Sequence, residues 1–207
     1  VGTTISVTCA GRTDRGVHAF GQVVSFDAPD DTDLDRVRRS VNRQCGPSVV
    51  LRSLKRAGDD FDARFTATGR SYRYRVLNRR DPDPFLAATA WHVTDPLDVP
   101  AMQSAADHLV GEHDFSSFCR RPKVATDAAA PSLVRRIETV GWQGPDDDGL
   151  LEFSITASAF CHQMVRSIVG TLVDVGRGMR SVDDVPGMLE ARDRQAAGSP
   201  APPHGLV

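Results

Sequence analysis

Arg70-Ser71-Tyr72-Arg73-Tyr74-Arg75-Val76-Leu77-Asn78 is the stretch whose reading decides the fold. Its residue types alternate. Tyr72, Tyr74 and Val76 face one way and Arg73 and Arg75 the other, the period-two pattern of a strand with one buried and one wetted face. Downstream, Asp98 is placed to cap a helix carrying Met102, Ala106 and Leu109, with Gly111 closing it. Strands are expected near residues 134–142 and 150–157, then a long helix over about 160–176 and a shorter one near 182–192. From residue 70 onward the order is strand, helix, strand, strand, helix.

Upstream, part of the same order returns. In residues 3–9, Ile5, Val7 and Cys9 share one face, and residues 21–26 make a second strand. Asp30-Asp31-Thr32-Asp33 offers N-cap chemistry for a helix with Leu34, Val37 and Val41 at helical spacing. Gly46-Pro47 ends that helix, and residues 48–54 read as a further strand. Strand, strand, helix, strand is the tail of a βαββαβ unit. The expected fold is therefore α+β: two tandem split-βαβ, ferredoxin- or RRM-like halves. They would form a mixed, largely antiparallel central sheet with helices on one face. The halves are expected over 1–57, which would carry the loop around Asp14, and 63–207, with the polar stretch Arg56–Asp62 dividing them. This duplication rests on element order alone. Val1 already reads as the inside of a strand, and Pro203-His204-Gly205-Leu206-Val207 stops as an apolar run begins. The first strand and helix and the last strand are accordingly expected to lie beyond these two ends.

With 207 residues there is enough chain for a sizeable core. No apolar run approaches the roughly 20 residues that span a bilayer, and the opening residues lack the basic and apolar regions of a signal peptide. Cys9, Cys45, Cys119 and Cys161 stand apart, with no Cys-x-x-Cys pair. That argues against a zinc site and a secreted disulfide scaffold, and makes buried reduced thiols in the cytoplasm the expectation. Net charge is −2, yet residues 64–80 hold six arginines (64, 70, 73, 75, 79 and 80) and no acid. Such a local cluster suits phosphate contact. The competing explanation is compositional, because 23 of the 25 basic residues are Arg.

Ala10-Gly11-Arg12-Thr13-Asp14-Arg15-Gly16-Val17-His18-Ala19 lies between two apolar segments. It sets a carboxylate between two glycines with an arginine on either side. A hairpin turn needs Gly and Asn or Asp, but not two arginines and a His. The layout suits a charged side chain aimed from a constrained loop. In the long helix, Phe160, Met164, Ile168 and Leu172 recur every four residues. His162 and Arg166, four apart, fall on the border of that stripe. Arg166 is either an arginine whose stem snorkels to water or a partly buried guanidinium awaiting a carboxylate. His162 reads as a histidine of the core edge or surface.

Three segments together resemble the tRNA pseudouridine synthase A family: Ala10–Ala19, then Ala63-Arg64-Phe65 with Arg70–Tyr74, then Phe160–Gly170. Asp114-Phe115-Ser116-Ser117-Phe118 is similar to a further segment of that family. The resemblance runs essentially end to end. It implies that Asp14 is the catalytic aspartate, Tyr72 the active-site tyrosine, Arg166 the partner of the aspartate, and Arg12 a residue around the flipped nucleotide. It implies uridines 38, 39 and 40 of the tRNA anticodon stem-loop as substrate, a homodimer, and neither cofactor nor metal.

The chemistry suits these residue types. Isomerising uridine breaks the bond from the base nitrogen to the sugar and forms a carbon–carbon bond, with no net electron transfer. An ionised carboxylate can serve as nucleophile or as base. Burial would neutralise it unless a guanidinium such as Arg166 opposes that. Tyr72 would take the proton from carbon 5 of the rotated base, or stack on the uracil; Tyr74 reads as a core residue. The target must be flipped from its stack, with Arg12 filling the gap or holding a phosphate. Arg64, Arg70, Arg73, Arg75, Arg79 and Arg80, and a second group of Arg120, Arg121 and Lys123, are candidates for the RNA backbone, though strand alternation forbids one common face. Arg15 reads as solvated, and His18 as fixing the loop by hydrogen bonding. The alternatives are a non-catalytic tRNA-binding module of the same fold and an aspartyl-nucleophile hydrolase. The latter would carry metal or phosphate motifs that this sequence lacks.

Overall fold

The computed structural model describes residues 4–121 and 131–207. The chain forms two compact units. One comprises the residues up to Arg12 together with Gln22–Ala67; the other comprises Thr13–Gly21 and Thr68–Val207. The loop bearing Asp14 thus folds with the second unit and not with the N-terminal half to which the sequence assigns it, because its backbone is tied to the C-terminal residues, the His18 N–H donating to the Leu206 carbonyl.

In the first unit, β1 (Thr8–Cys9) and β2 (Val24–Ser25) form a two-stranded antiparallel sheet, Thr8 opposite Ser25. Both are shorter than the alternation of residues 3–9 and 21–26 suggests. Helix α1 (Leu34–Cys45) starts where expected, because the Asp33 carboxylate accepts the Arg36 N–H at 2.9 Å. Its Leu34, Val37 and Val41 are half-buried. Residues 48–54, all described, form no strand. A strand needs a neighbour for its N–H and C=O groups. Here the Asn42 side chain takes both from Leu51, donating to its carbonyl at 3.1 Å and accepting its N–H at 2.6 Å.

The second unit contains β3 (Arg70–Asn78), β4 (Trp91–Val93), α2 (Val99–Asp107), β5 (Gly111–Asp114), β6 (Val134–Gln143), β7 (Leu150–Ala157), α3 (Met164–Gly176) and α4 (Asp184–Ala191). Its five strands lie in the order β4-β3-β7-β6-β5, with β3–β4 parallel and the other pairs antiparallel. The protein is α+β, and the second unit carries the expected mixed, largely antiparallel sheet. The central sheet expected to join both halves is not seen among the described residues, where β1 and β2 form a two-stranded sheet of their own. β4 and β5 were not legible because three and four residues show no periodicity.

Strand β7 alternates strictly, burying Leu151, Phe153, Ile155 and Ala157. Phe153 stands opposite Tyr74 and Leu151 opposite Val76 on β3. These join Met102, Ala105 and Ala106 of α2 and Ile168, Val169, Leu172 and Val173 of α3 in one core. The final residues return to the sheet: Leu206 bridges antiparallel to Tyr74, and Val207 exchanges two 2.9 Å backbone bonds with Arg73. Among the described residues, no helix is long and apolar enough to cross a membrane.

Candidate active site

The Asp14 loop is tied down at both ends of a tight turn. The Val17 N–H donates to the Asp14 carbonyl at 3.1 Å, and Gly16 has φ +89°. That conformation disfavours any residue with a Cβ, which is why a glycine follows Arg15. The His18 N–H donates to the Leu206 carbonyl at 3.0 Å, and its ring bonds the Ala88 carbonyl at 2.9 Å. His18 fixes the loop, as the sequence suggested. The turn therefore rests on the C-terminal residues that pair with β3.

Arg166, the third residue of α3, meets this loop. Its Nη1 donates to Asp14 Oδ2 at 2.6 Å, a charge-assisted bond of the short kind. Its side chain is 14% exposed and that of Asp14 26%, so the pair is largely withdrawn from water. Arg166 is the partly buried guanidinium, not the snorkelling one. Its Nε donates to the Ala201 carbonyl at 2.7 Å, and the Ala201 N–H returns a bond to the Arg166 carbonyl at 2.9 Å. The segment carrying Ala201 can lie this close because Gly170 is bare: a Cβ there would stand 1.9 Å from the Ser199 carbonyl oxygen.

His162 reaches the other carboxylate oxygen, its Nε2 lying 3.0 Å from Asp14 Oδ1. In the sequence His162 reads as a core-edge or surface histidine on a helix starting near 160. The helix begins at Met164 instead, after Gln163 takes a left-handed conformation, φ 65° and ψ 4°. The convergence of His162 and Arg166 on one carboxylate is thus not helical stacking. The one available signal was that both stand within five residues in the motif that resembles the family.

Tyr72 is half-buried and packs edge-on against Phe160, ring centroids 5.0 Å apart. Phe160 opens the segment leading to His162. Burial raises the Tyr72 pKa above its ordinary value, partly opposed by the Arg70 charge, so the phenol is protonated near neutral pH. Tyr74 is fully buried, donates to the Pro202 carbonyl at 2.7 Å, and is pushed up more strongly by burial, with Arg166 opposing. It is a core residue, as expected.

The arginines expected at RNA are scattered. Arg12 is exposed and belongs to the first unit. So does Arg64, whose guanidinium lies 5.4 Å from the Phe65 ring centre. Arg70 donates to the Ser158 carbonyl at 2.9 Å. Arg73 and Arg75 both approach Glu152 on β7, at 3.5 and 3.7 Å, and Arg79 pairs with Asp83 at 3.1 Å. The acid-free look of residues 64–80 is therefore offset by acids from outside that window. Arg120 and Arg121 are exposed; Arg121 donates to the Arg192 carbonyl at 3.4 Å. Lys123 lies outside the described residues. Asp114 accepts from the Ser116 hydroxyl and N–H, at 2.5 and 3.0 Å, and the hydroxyl bond leads in holding its carboxyl below the usual range. In the same segment Phe115 and Phe118 are core.

Cys119 and Cys161 form a disulfide with Cα atoms 5.7 Å apart. This departs from the expectation of four buried reduced thiols; Cys9 and Cys45 are free, but Cys9 is half-buried and Cys45 exposed. The two partners are 42 residues apart in sequence, so no spacing motif announced them.

A family model described as tRNA pseudouridine synthase matches residues 105–207. The tRNA pseudouridine synthase A of Halalkalibacterium halodurans is 45% identical over 207 residues, covering all of this chain and 76% of its own. That of Myxococcus xanthus is 42% identical over the same length and coverage. That of Bacillus subtilis is 43% identical over 202 residues, 98% of this chain and 79% of the relative. The chain belongs to the tRNA pseudouridine synthase family.

Proposed function

We propose that this protein isomerises uridine to pseudouridine in tRNA, with Asp14 as the nucleophile. The observation that carries the reading is the Asp14 carboxylate held at 2.6 Å by Arg166 in a mostly enclosed position. A charge-assisted bond of this length fixes the carboxylate in the orientation from which it attacks. The relatives' shared name supports tRNA as the substrate.

In the reaction the bond from N1 to the sugar C1′ breaks and a bond from C5 to C1′ forms. The C5 hydrogen leaves as a proton and N1 gains one, so nothing is oxidised or reduced. As nucleophile, an Asp14 oxygen bonds to the nucleoside while N1 leaves C1′. That bond breaks again as C5 joins C1′, which returns the free carboxylate; Arg166 holds the group in place before and after. Tyr72, protonated at rest, contacts the base by stacking or hydrogen bonding; it would accept the C5 proton only after giving up its own. Arg12, Arg64, Arg70, Arg120 and Arg121 are the proposed contacts to the RNA. Uridines 38, 39 and 40 of the anticodon stem-loop as targets, a homodimer as the working form and the cytoplasm as its location complete the proposal, supported by the motif resemblance.

The test uses tRNA carrying tritium at C5 of uridine. The protein is expected to release tritium to water. Asp14→Ala should lose at least about 1000-fold, and Arg166→Lys, which cannot reach Ala201 and Asp14 with one planar fork, about 100-fold. Intact tRNA binding without release would overturn the enzyme reading in favour of a tRNA-binding module.

A further inference from the structure

Arg166 grips Asp14 through one nitrogen. Its fork is divided, with Nη1 on Asp14 Oδ2 and Nε on the Ala201 carbonyl. The Cβ–Cγ torsion of aspartate is broad rather than sharply staggered. One bond therefore fixes one oxygen and leaves the carboxylate plane soft. The second oxygen is where His162 arrives, Nε2 to Oδ1 at 3.0 Å. An ionised carboxylate only accepts, so His162 Nε2 carries the hydrogen in this bond.

The backbone around His162 is shaped to deliver it. Gln163 holds a left-handed conformation that residues with a Cβ seldom adopt, and α3 starts only after it. Departures of this kind persist where the surroundings over-determine them, and they cluster at reactive groups. Here the surroundings are on both sides: the His162 carbonyl accepts the Arg120 N–H at 2.9 Å, and Cys161 is bonded to Cys119. The side chain delivered is 48% exposed. A bond so open to solvent adds little to folding stability, so its consequence is orientation.

We propose that His162 is a positioning residue for the isomerisation: with Arg166 it pins both oxygens of Asp14 and fixes the plane of the carboxylate that meets the uridine. The proposal rests on Asp14 being the reacting group. It is tested with His162→Ala and His162→Gln, the glutamine amide standing where the ring Nε2 does. In the tritium-release assay, His162→Ala is expected to lower kcat about 10- to 100-fold with KM within about twofold, the range that a misaligned reacting group costs. His162→Gln should recover most of the loss. An unchanged kcat, or a loss confined to KM, would overturn the proposal, the latter assigning His162 to RNA binding. Wild-type protein without activity would instead overturn the isomerase reading, and this one with it. Should His162→Ala not fold, nitrogen-15 spectra of histidine-labelled protein decide: the His162 ring signals should shift in Asp14→Asn, and unmoved signals count against the contact.

Discussion

Helices α1 and α3 are nearly equal in length and opposite in circumstance. None of the 12 residues of α1, all described, is buried, whereas α3 buries 11 of its 13. Both show apolar residues at helical spacing, so the pattern predicts which face is apolar but not how deeply it is covered. The contrast has a functional side. A reacting group must be held to a fraction of an ångström by neighbours that are themselves packed. The carboxylate loop, residues 13–21, folds with the unit that has the deep core.

The sharpest test of this contrast is a pair of truncations. Ile168→Ala in α3 should cost about 2–5 kcal/mol in urea unfolding, because the surrounding core cannot collapse onto the gap. Val41→Ala in α1 should cost less than about 1 kcal/mol. Equal losses would break the comparison. Next come two glycines within the second unit. Gly170→Ala drives a methyl into the Ser199 carbonyl and should cost about 1–3 kcal/mol, lowering activity as well, because the same segment presents Ala201 to Arg166. Gly187→Ala in α4 meets nothing within 4 Å and should stabilise by about 0.5–1 kcal/mol. A harmless Gly170→Ala would show that the segment is held loosely.

The smallest effect is in alkali. The chain has two tyrosines, both on β3 and both raised by burial. Unfolded, they ionise near about pH 10; folded, they keep their protons to higher pH. The native state then binds more protons than the unfolded one, so this contribution is complete below about pH 10 and is lost as pH rises through the folded values. Tyrosinate absorbance at about pH 10 should be weaker in the folded protein than after unfolding. Equal tyrosinate absorbance in the folded and unfolded protein at that pH would mean that the β3 tyrosines are less enclosed than their contacts with Phe160 and Pro202 indicate.

Much of this fold was legible because it is local. Asp33 and Asp98 cap the helices that follow them, each carboxylate accepting an N–H at 2.9 Å three residues on. The alternation in residues 70–78, 134–142 and 150–157 appears as β3, β6 and β7. What failed depended on partners. Residues 48–54 have strand-like composition but find Asn42 instead of a neighbouring strand. Residues 160–163 continue a helical pattern but leave it at Gln163. The arginines of residues 64–80 looked unopposed because Glu152 and Asp83 lie outside that window.

The sequence by itself determined the long elements β3, β6, β7, α1, α2 and most of α3, written in neighbouring residues, and the family resemblance, which names Asp14 and Arg166 as the pair to watch. Only the tertiary structure decided how that pair is held. Arg166 spends half its fork on Ala201, and the oxygen it leaves goes to a histidine freed from the helix by one left-handed residue. Those contacts join positions about 35 and 150 residues apart along the chain. Proximity of that kind is set by packing between elements, and local periodicity carries no record of it.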